Sequence, residues 1–280
     1  MMVAPSLLIV ALVAIYPLIQ TFRLSFTNAR FGSTRAVSYV GWTNYSRVLN
    51  DEIFRTAMKH TIVFTISSVV IETVFGMVVA LVINSNFKGR GLVRTAMLLP
   101  WAIMTVVSAQ LWKFMLDRSY GVVNDILFTR LGVLNEKIPF TARATTSLWS
   151  LVAIDVWKTT PFMALLLLAG LQIISGDVYE ASTIDGASKW QQFWQITMPL
   201  VRPALLVALI FRTLDSFKVF DLPFVMKGAA TDTITVAVYA QQKLVNDLLL
   251  GRSSAASVII FLCIGAMVLV YTRIVKVEEA

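Results

Sequence analysis

An all-α integral membrane fold with six transmembrane helices is predicted by three observations. Of the 280 residues, 57% are hydrophobic and only 14% are charged, and the mean hydropathy is +0.75, a composition foreign to soluble domains. Apolar runs cover residues 4–22, 61–83, 92–116, 147–174, 198–217 and 255–271, most of them near or above the roughly 20 residues a helix needs to cross hydrocarbon. Between the fourth and fifth runs the segment DVYEASTIDGASKWQQFWQITMPLVRP, from Asp177 to Pro203, is polar and amphipathic, the mark of a structured connector outside the bilayer. With no long linker, low-complexity tract or internal repeat, residues 1–280 read as a single transmembrane domain.

The first run lacks a basic leader, and Pro17 and Gln20 stand where a small-residue cleavage site would lie, so it reads as a retained span rather than a signal peptide. The longest outside segment, 27–60, has helical spacing through Tyr45, Val48, Leu49 and Phe54 and reads as an amphipathic helix along the membrane surface. The loop 84–94 carries Lys88, Arg90 and Arg94 with no acid, which favours the cytoplasm. The segment on the opposite side is also basic, with Arg23, Arg30, Arg35, Arg47, Arg55 and Lys59 against Asp51 and Glu52, so charge alone leaves the topology open.

The net charge of +8 is scattered through loops, which fits anionic lipid head groups and not nucleic acid. The one cysteine, Cys263, excludes an intrachain disulfide and reads as a small buried hydrophobe. A single histidine, His60, cannot build a multi-histidine metal site, and neither a phosphate-cradling GxxxxGK[ST] loop nor a G-x-S-x-G elbow occurs. The chain is therefore expected to be no enzyme and to bind no metal or cofactor itself. Any uphill transport must draw its energy from elsewhere.

Within the connector, Asp177 with Glu180, and Ser188 with Gln191, have helix-capping spacing, with Gly186 between them. The pattern predicts a short helix, a sharp turn at Gly186 and a second helix that runs into the fifth span. Val178, Ala181 and Ile184 share one side, and Glu180, Thr183 and Asp185 remain for polar contacts. Small residues at Ala181, Ser182, Gly186 and Ala187 admit another backbone closely. Trp190, Phe193 and Trp194 form an apolar stripe suited to packing beneath the other helices, and Pro199 and Pro203 fall near a first helical turn. On these residues alone, an ordinary interfacial connector fits as well as a docking element.

The order Glu180-Ala181-Ser182, Asp185-Gly186-Ala187, Ile196, Pro199 resembles the EAA loop of permease subunits of bacterial ABC importers, with Ser182 in place of the second alanine and Met198 in place of the leucine before the proline. Gly41-Trp42-Thr43-Asn44-Tyr45, Leu98-Leu99-Pro100, Trp157-Lys158 with Pro161-Phe162, and Phe220-Asp221-Leu222 are similar to elements of the carbohydrate-importing, maltose and glycerol-phosphate permease-like branch. The resemblance implies the type I ABC importer permease fold, with residues 177–196 as a cytoplasmic coupling loop and both termini in the cytoplasm of a bacterial cell. It also implies a second homologous permease subunit, a dimer of cytoplasmic ABC ATPases that hold ATP and Mg, and an extracytoplasmic sugar-binding lipoprotein. The implied cargo is a sugar, a disaccharide such as trehalose, moved by alternating access as the ATPase opens and closes.

Polar groups inside spans are expensive and therefore candidates for the sugar path: Glu72, Gln110, Asp155, Lys158, Arg212 and Asp215, with Trp157 as a stacking surface. Asp155 and Arg212 suit an interhelical ion pair better than a sugar contact. Lys113 has a snorkelling position, and Trp101 and Trp112 suit interface anchoring as well as sugar stacking. Asn124, Asp125, Asn246 and Asp247 fall in outside loops, either as turn residues or as contacts for a binding protein. The competing function is a stand-alone ion-coupled secondary transporter with Glu72 and Asp155 as its ion sites.

Overall fold

The structure, a computed structural model, describes residues 11–34 and 36–278; the beginning of the first expected span lies outside them. Among the described residues the fold is helical, with one isolated bridge between Thr27 and Tyr39. The α-helices of four or more residues are α1 (Tyr16–Ser25), α2 (Thr43–Leu49), α3 (Glu52–Asn84), α4 (Arg90–Met97), α5 (Leu99–Ala102), α6 (Thr105–Met115), α7 (Ala144–Leu171), α8 (Gly176–Ile184), α9 (Lys189–Gln192), α10 (Met198–Phe217), α11 (Asp221–Lys227), α12 (Val236–Val245) and α13 (Leu250–Glu278).

Of the six expected spans, five lie wholly within the described residues, four of them as long apolar helices and one as a bent pair. Four stretches are long and apolar enough to cross a membrane: Glu52–Asn84, Ala144–Leu171, Lys189–Lys227 and Leu250–Arg273. The expected third span is broken, with Arg90–Ala102 and Thr105–Met115 meeting at 89°. The expected surface helix of 27–60 is also divided. Tyr45 and Val48 are buried on α2, Phe54 is buried at the start of α3, and Leu49 is exposed.

Two compact units form, one from the chain up to Thr61 with Lys218–Met267, the other from Ile62–Phe217 with the chain from Val268. In the first, Asn44 closes the end of α1. Its amide donates to the carbonyl oxygens of Ser25 and Thr27, both at 2.8 Å, groups that have no intrahelical partner past a C-terminus. Beside it the Tyr45 hydroxyl meets Ser25 Oγ at 2.7 Å, and Phe26 packs edge-on against Trp42. Elsewhere in this unit Thr235 caps α12 with its side chain, and Val236 N–H donates to Thr61 Oγ1 at 3.0 Å.

The Tyr239 hydroxyl donates to Asp51 at 2.8 Å, with Lys243 3.6 Å from the same carboxylate. Burial pushes the Asp51 carboxyl up, but the Tyr239 hydroxyl, the backbone N–H of Ile53 and the Lys243 ammonium outweigh it and hold it below its ordinary value. A depressed carboxylate stabilises above its unfolded pKa and loses that contribution only as pH falls through the folded value. This tie therefore persists at neutral pH and is lost in acid.

In the second unit Met77, Ala80, Ile83, Met163, Leu167, Leu171, Val201 and Ala208 form the apolar core. The helices approach at small residues, as membrane helices do. A Cβ on Gly170 of α7 would lie 2.5 Å from the Cβ of Ala204 on α10, and one on Gly76 of α3 would lie 2.6 Å from the Met163 side chain. Pro161 and Pro203 sit inside α7 and α10. Pro199 likewise lies within the continuous stretch Lys189–Lys227, directly after a π-turn at Phe193–Thr197. It falls in the first turn of α10, as expected, and the widened turn before it accommodates the bond a proline cannot donate.

The break in the third span follows from its sequence and from a distant lysine. Pro100 sits in the first turn of the four-residue α5, and Ile103 and Met104 are extended, with ψ of 135° and 138°. The carbonyl oxygens so released would be unsatisfied in hydrocarbon. The ammonium of Lys158, on α7 and only 8% exposed, donates to Ile103 O at 2.8 Å and Trp101 O at 3.3 Å. A cation at the end of a helix is also favoured by its dipole.

Two outcomes follow for the protein purified in detergent. Asn44→Leu leaves the buried Ser25 carbonyl and the half-buried Thr27 carbonyl without their donor and lowers stability by about 1–3 kcal/mol, read from thermal unfolding. Lys158→Met uncaps the break and costs about 2–3 kcal/mol, and Lys158→Arg, which keeps a cation with donors, recovers part of it.

Candidate functional site

The connector folds as two short helices held together by side chains. Helix α8 begins one residue earlier than its expected cap, because Ser175, not Asp177, is the N-cap: its Oγ accepts the Asp177 N–H at 3.3 Å. Asp177 instead lies in the first turn, where the helix dipole favours an acid. The helix ends as expected at Gly186, whose φ is +81°. Gly186 N–H bonds Thr183 O at 3.1 Å and Ala187 N–H bonds Ser182 O at 2.9 Å, the paired bonds of a Schellman end that calls for glycine. Ser188 and Gln191 then form the expected capping box at the start of α9.

Gln192, buried at 3% exposure, ties the two helices. Its amide donates to Ser182 Oγ and Thr183 Oγ1, both at 2.9 Å, while Lys189 Nζ reaches its oxygen at 3.1 Å. The Tyr179 and Thr197 hydroxyls meet at 3.0 Å. Ser182 is therefore an internal residue, and its hydroxyl has a use that an alanine would leave empty. Composition alone did not single out Gln192; its signal was a polar residue on the inward side of an amphipathic repeat.

With these bonds made inside, the opposite face is exposed. Glu180, Ala181, Thr183, Asp185 and Gly186 all lie open, and Ile184 is 86% exposed. Ala187 and Ile196 are half-buried and Pro199 is exposed. The aromatic stripe departs from expectation: Trp190 and Trp194 are exposed and pack on each other edge-to-face at 5.7 Å, with Phe193 5.0 Å from Trp194.

The intramembrane candidates divide into a cluster and outliers. Arg212, 2% exposed, receives a two-pronged grip from Glu72, with Nε–Oε2 2.5 Å and Nη2–Oε1 2.9 Å. Asp155 lies 3.0 Å from Nη2 and Asp215 2.9 Å from Nη1. Thr159 Oγ1 sits 2.5 Å from Glu72 Oε1 and 2.6 Å from the Asp155 carbonyl oxygen. The expected Asp155–Arg212 pair thus exists, but Glu72 is the partner that fits the guanidinium fork. A lone acid in the middle of the second apolar run was the available signal, since such a group must find a cation. Glu72 and Asp155, the carboxylates an ion-coupled carrier would use, are both committed to Arg212.

Asp215 keeps a side chain 63% exposed and is the open edge of this cluster. Gln110 is exposed on α6 and takes no part in it, and Lys158 is spent on the break in the third span. Trp157, 38% exposed, meets Trp112 edge-to-face at 5.3 Å, and Trp101 stacks on Phe162 at 5.7 Å. Of the outside-loop residues, Asn124 is fully buried and accepts the Ile138 N–H at 2.9 Å. Asp125 pairs with Arg130 and Asp247 with Lys243, each at 2.9 Å.

The fold is similar to that of solved importers. It matches a chain from the crystal structure of a bacterial ABC transporter involved in the import of the acidic polysaccharide alginate with a TM-score of 0.85 at 22% identity, covering 98% of this chain and 93% of that one. In sequence, the chain is 36% identical over 274 residues to the trehalose transport system permease protein SugA of Mycobacterium tuberculosis, covering 98% of this chain and 87% of the relative. It is 39% identical over 279 residues to the trehalose/maltose transport system permease protein MalF of Thermococcus litoralis, covering 98% and 92%. Residues 72–277 match the family described as binding-protein-dependent transport system inner membrane component. With that match across most of its length and these relatives spanning nearly all of it, the chain belongs to this family of multi-pass permeases of ABC importers.

Proposed function

We propose that this chain is one of two permease subunits of an ABC importer for a disaccharide of the trehalose class. The observation that carries the reading is identity above 35% along nearly the whole chain to permeases named for trehalose and for trehalose with maltose. The partners in this reading are a second permease, a dimer of cytoplasmic ATPases holding ATP and Mg, and an extracytoplasmic sugar-binding lipoprotein. The loop 177–196 lies in the cytoplasm with both termini. Its open face, Glu180 to Gly186, seats in a groove of the ATPase.

The build of the loop supports that role. A lever transmits force only if it is stiffer inside than at its contact, and the bonds through Gln192, Tyr179 and the Gly186 end make it so. Glu180 is exposed and, among the described residues, has no side-chain partner of its own. ATP binding moves the docked loop only through a different affinity of the nucleotide for the two states. In this reading Asp215 and Trp157 face the cargo path, while Glu72, Asp155 and Arg212 hold the helices that bound it.

Copurification from gently solubilised membranes tests the proposal. A second permease and an ATPase should accompany the tagged chain, and a trehalose-loaded binding protein should stimulate hydrolysis. Recovery of the chain alone, with uptake that collapses under a protonophore and ignores ATP, would refute it. Two variants test the loop. Gly186→Pro cannot adopt a φ of +81° and loses the N–H bond to Thr183, and Glu180→Lys reverses the exposed charge. Both should reach the membrane at normal levels, lose the ATPase on purification and transport less than a tenth of the wild-type amount, a loss of about 1.4 kcal/mol or more in coupling.

A further inference from the structure

A small polar pocket of about 80 Å³ in the first unit is lined by three arginines: Arg30, Arg47 and Arg252. They come from three separate stretches of chain, and local structure accounts for their meeting. Arg47 follows Asn44 by three residues on α2 and so shares its face, and Asn44 is bonded to Ser25 O and Thr27 O. Arg252 is delivered by the first turn of α13, which presses against the loop holding Arg30. Gly251 N–H donates to Ala29 O at 3.0 Å, and a Cβ on Gly251 would lie 2.1 Å from Thr27 O. Only a glycine lets the two backbones come this close.

Among the described residues no carboxylate pairs with these three charges: no salt bridge involves Arg30, Arg47 or Arg252, and Asp51 and Asp247, two of the acids of the same unit, are engaged by Tyr239 and Lys243. Three like charges around one small cavity repel one another, an arrangement that a bound anion relieves. A single carboxylate would neutralise one guanidinium and present two oxygens. A phosphate presents more oxygens to planar forks built to grip them.

The surroundings indicate where that phosphate comes from. Tyr39 and Trp42, in the loop and turn that precede α2, are 75% and 70% exposed, and exposed tyrosine and tryptophan collect at the level of lipid head groups. We propose that Arg30, Arg47 and Arg252 form a binding site for the phosphate of a phospholipid head group. The proposal requires the chain to lie in a membrane and is independent of its cargo and of the ATPase docking at the other loop.

Native mass spectrometry of the assembled importer, stripped of lipid with increasing detergent, tests this. The wild type should keep one more phospholipid than a variant carrying Arg30→Gln, Arg47→Gln and Arg252→Gln together, and each single change should speed its loss about tenfold, the size of one charge-assisted hydrogen bond. Titration with inorganic phosphate separates the sources. If 31P resonances of inorganic phosphate broaden with lipid-free wild type and not with the triple variant, while no lipid is retained, the site takes free phosphate and the lipid assignment is overturned. Equal lipid retention by wild type and triple variant overturns the site. So does a triple variant that keeps its lipid but loses affinity for the binding protein, since the arginines then serve an acidic partner surface. Unchanged thermal unfolding of the singly substituted Arg47→Gln shows that any lost lipid is not a consequence of misfolding.

Discussion

A charge inside hydrocarbon has to carry its own solvation, and Arg212 with its carboxylates is where this fold meets that requirement. The guanidinium lies on α10, Glu72 on α3 and Asp155 on α7, so satisfying one cation sets three helices against one another. Removing a single partner would leave a buried charge uncompensated, a far larger loss than any one apolar contact in the same core. The close approaches at Gly76 and Gly170 serve the same geometry: they bring the helix axes near enough for the fork to close.

Lys158 shows the same requirement applied to backbone. The third span turns through 89°, which frees peptide oxygens that water cannot reach, and a buried ammonium from the neighbouring helix takes them up. The bend and the lysine are therefore one feature, with Pro100 supplying the interruption and α7 the compensation. A polar residue within a span is thus not automatically a cargo contact. Glu72, Asp155, Arg212 and Lys158 are all buried with structural partners, which leaves Gln110, Asp215 and Trp157 as the candidates with open surface.

The connector uses its polar groups in the opposite way. Its inward side chains, Tyr179, Ser182, Gln192 and Thr197, bond within the connector, and its outward residues Glu180, Ala181, Ile184, Asp185 and Gly186 lie exposed. Stiff inside and unengaged outside is the division of labour expected of an element that transmits motion to or from another chain. Trp190, on α9, and Trp194, just after it, are exposed as well.

Much of this was legible in the residue string, because the signals are local. Composition and the length of the apolar runs imply a helical membrane protein. The Ser188–Gln191 spacing implies a capping box, and a glycine between two short polar helices implies the turn at Gly186, where the structure has a positive φ. The order of residues around Glu180 marks the family. What the string could not decide are properties of contact between segments far apart in sequence. Glu72 grips Arg212 across 140 positions, Lys158 caps a break more than fifty residues upstream, and Ser182 turns inward only because Gln192 meets it. Arg30, Arg47 and Arg252 look like scattered loop charge until Gly251 lets two backbones touch. Caps, turns and periodicities depend on neighbours within a few residues and are written in order along the chain. The pairing of buried charges and the convergence of loops depend on which surfaces pack together, and only the folded chain determines that.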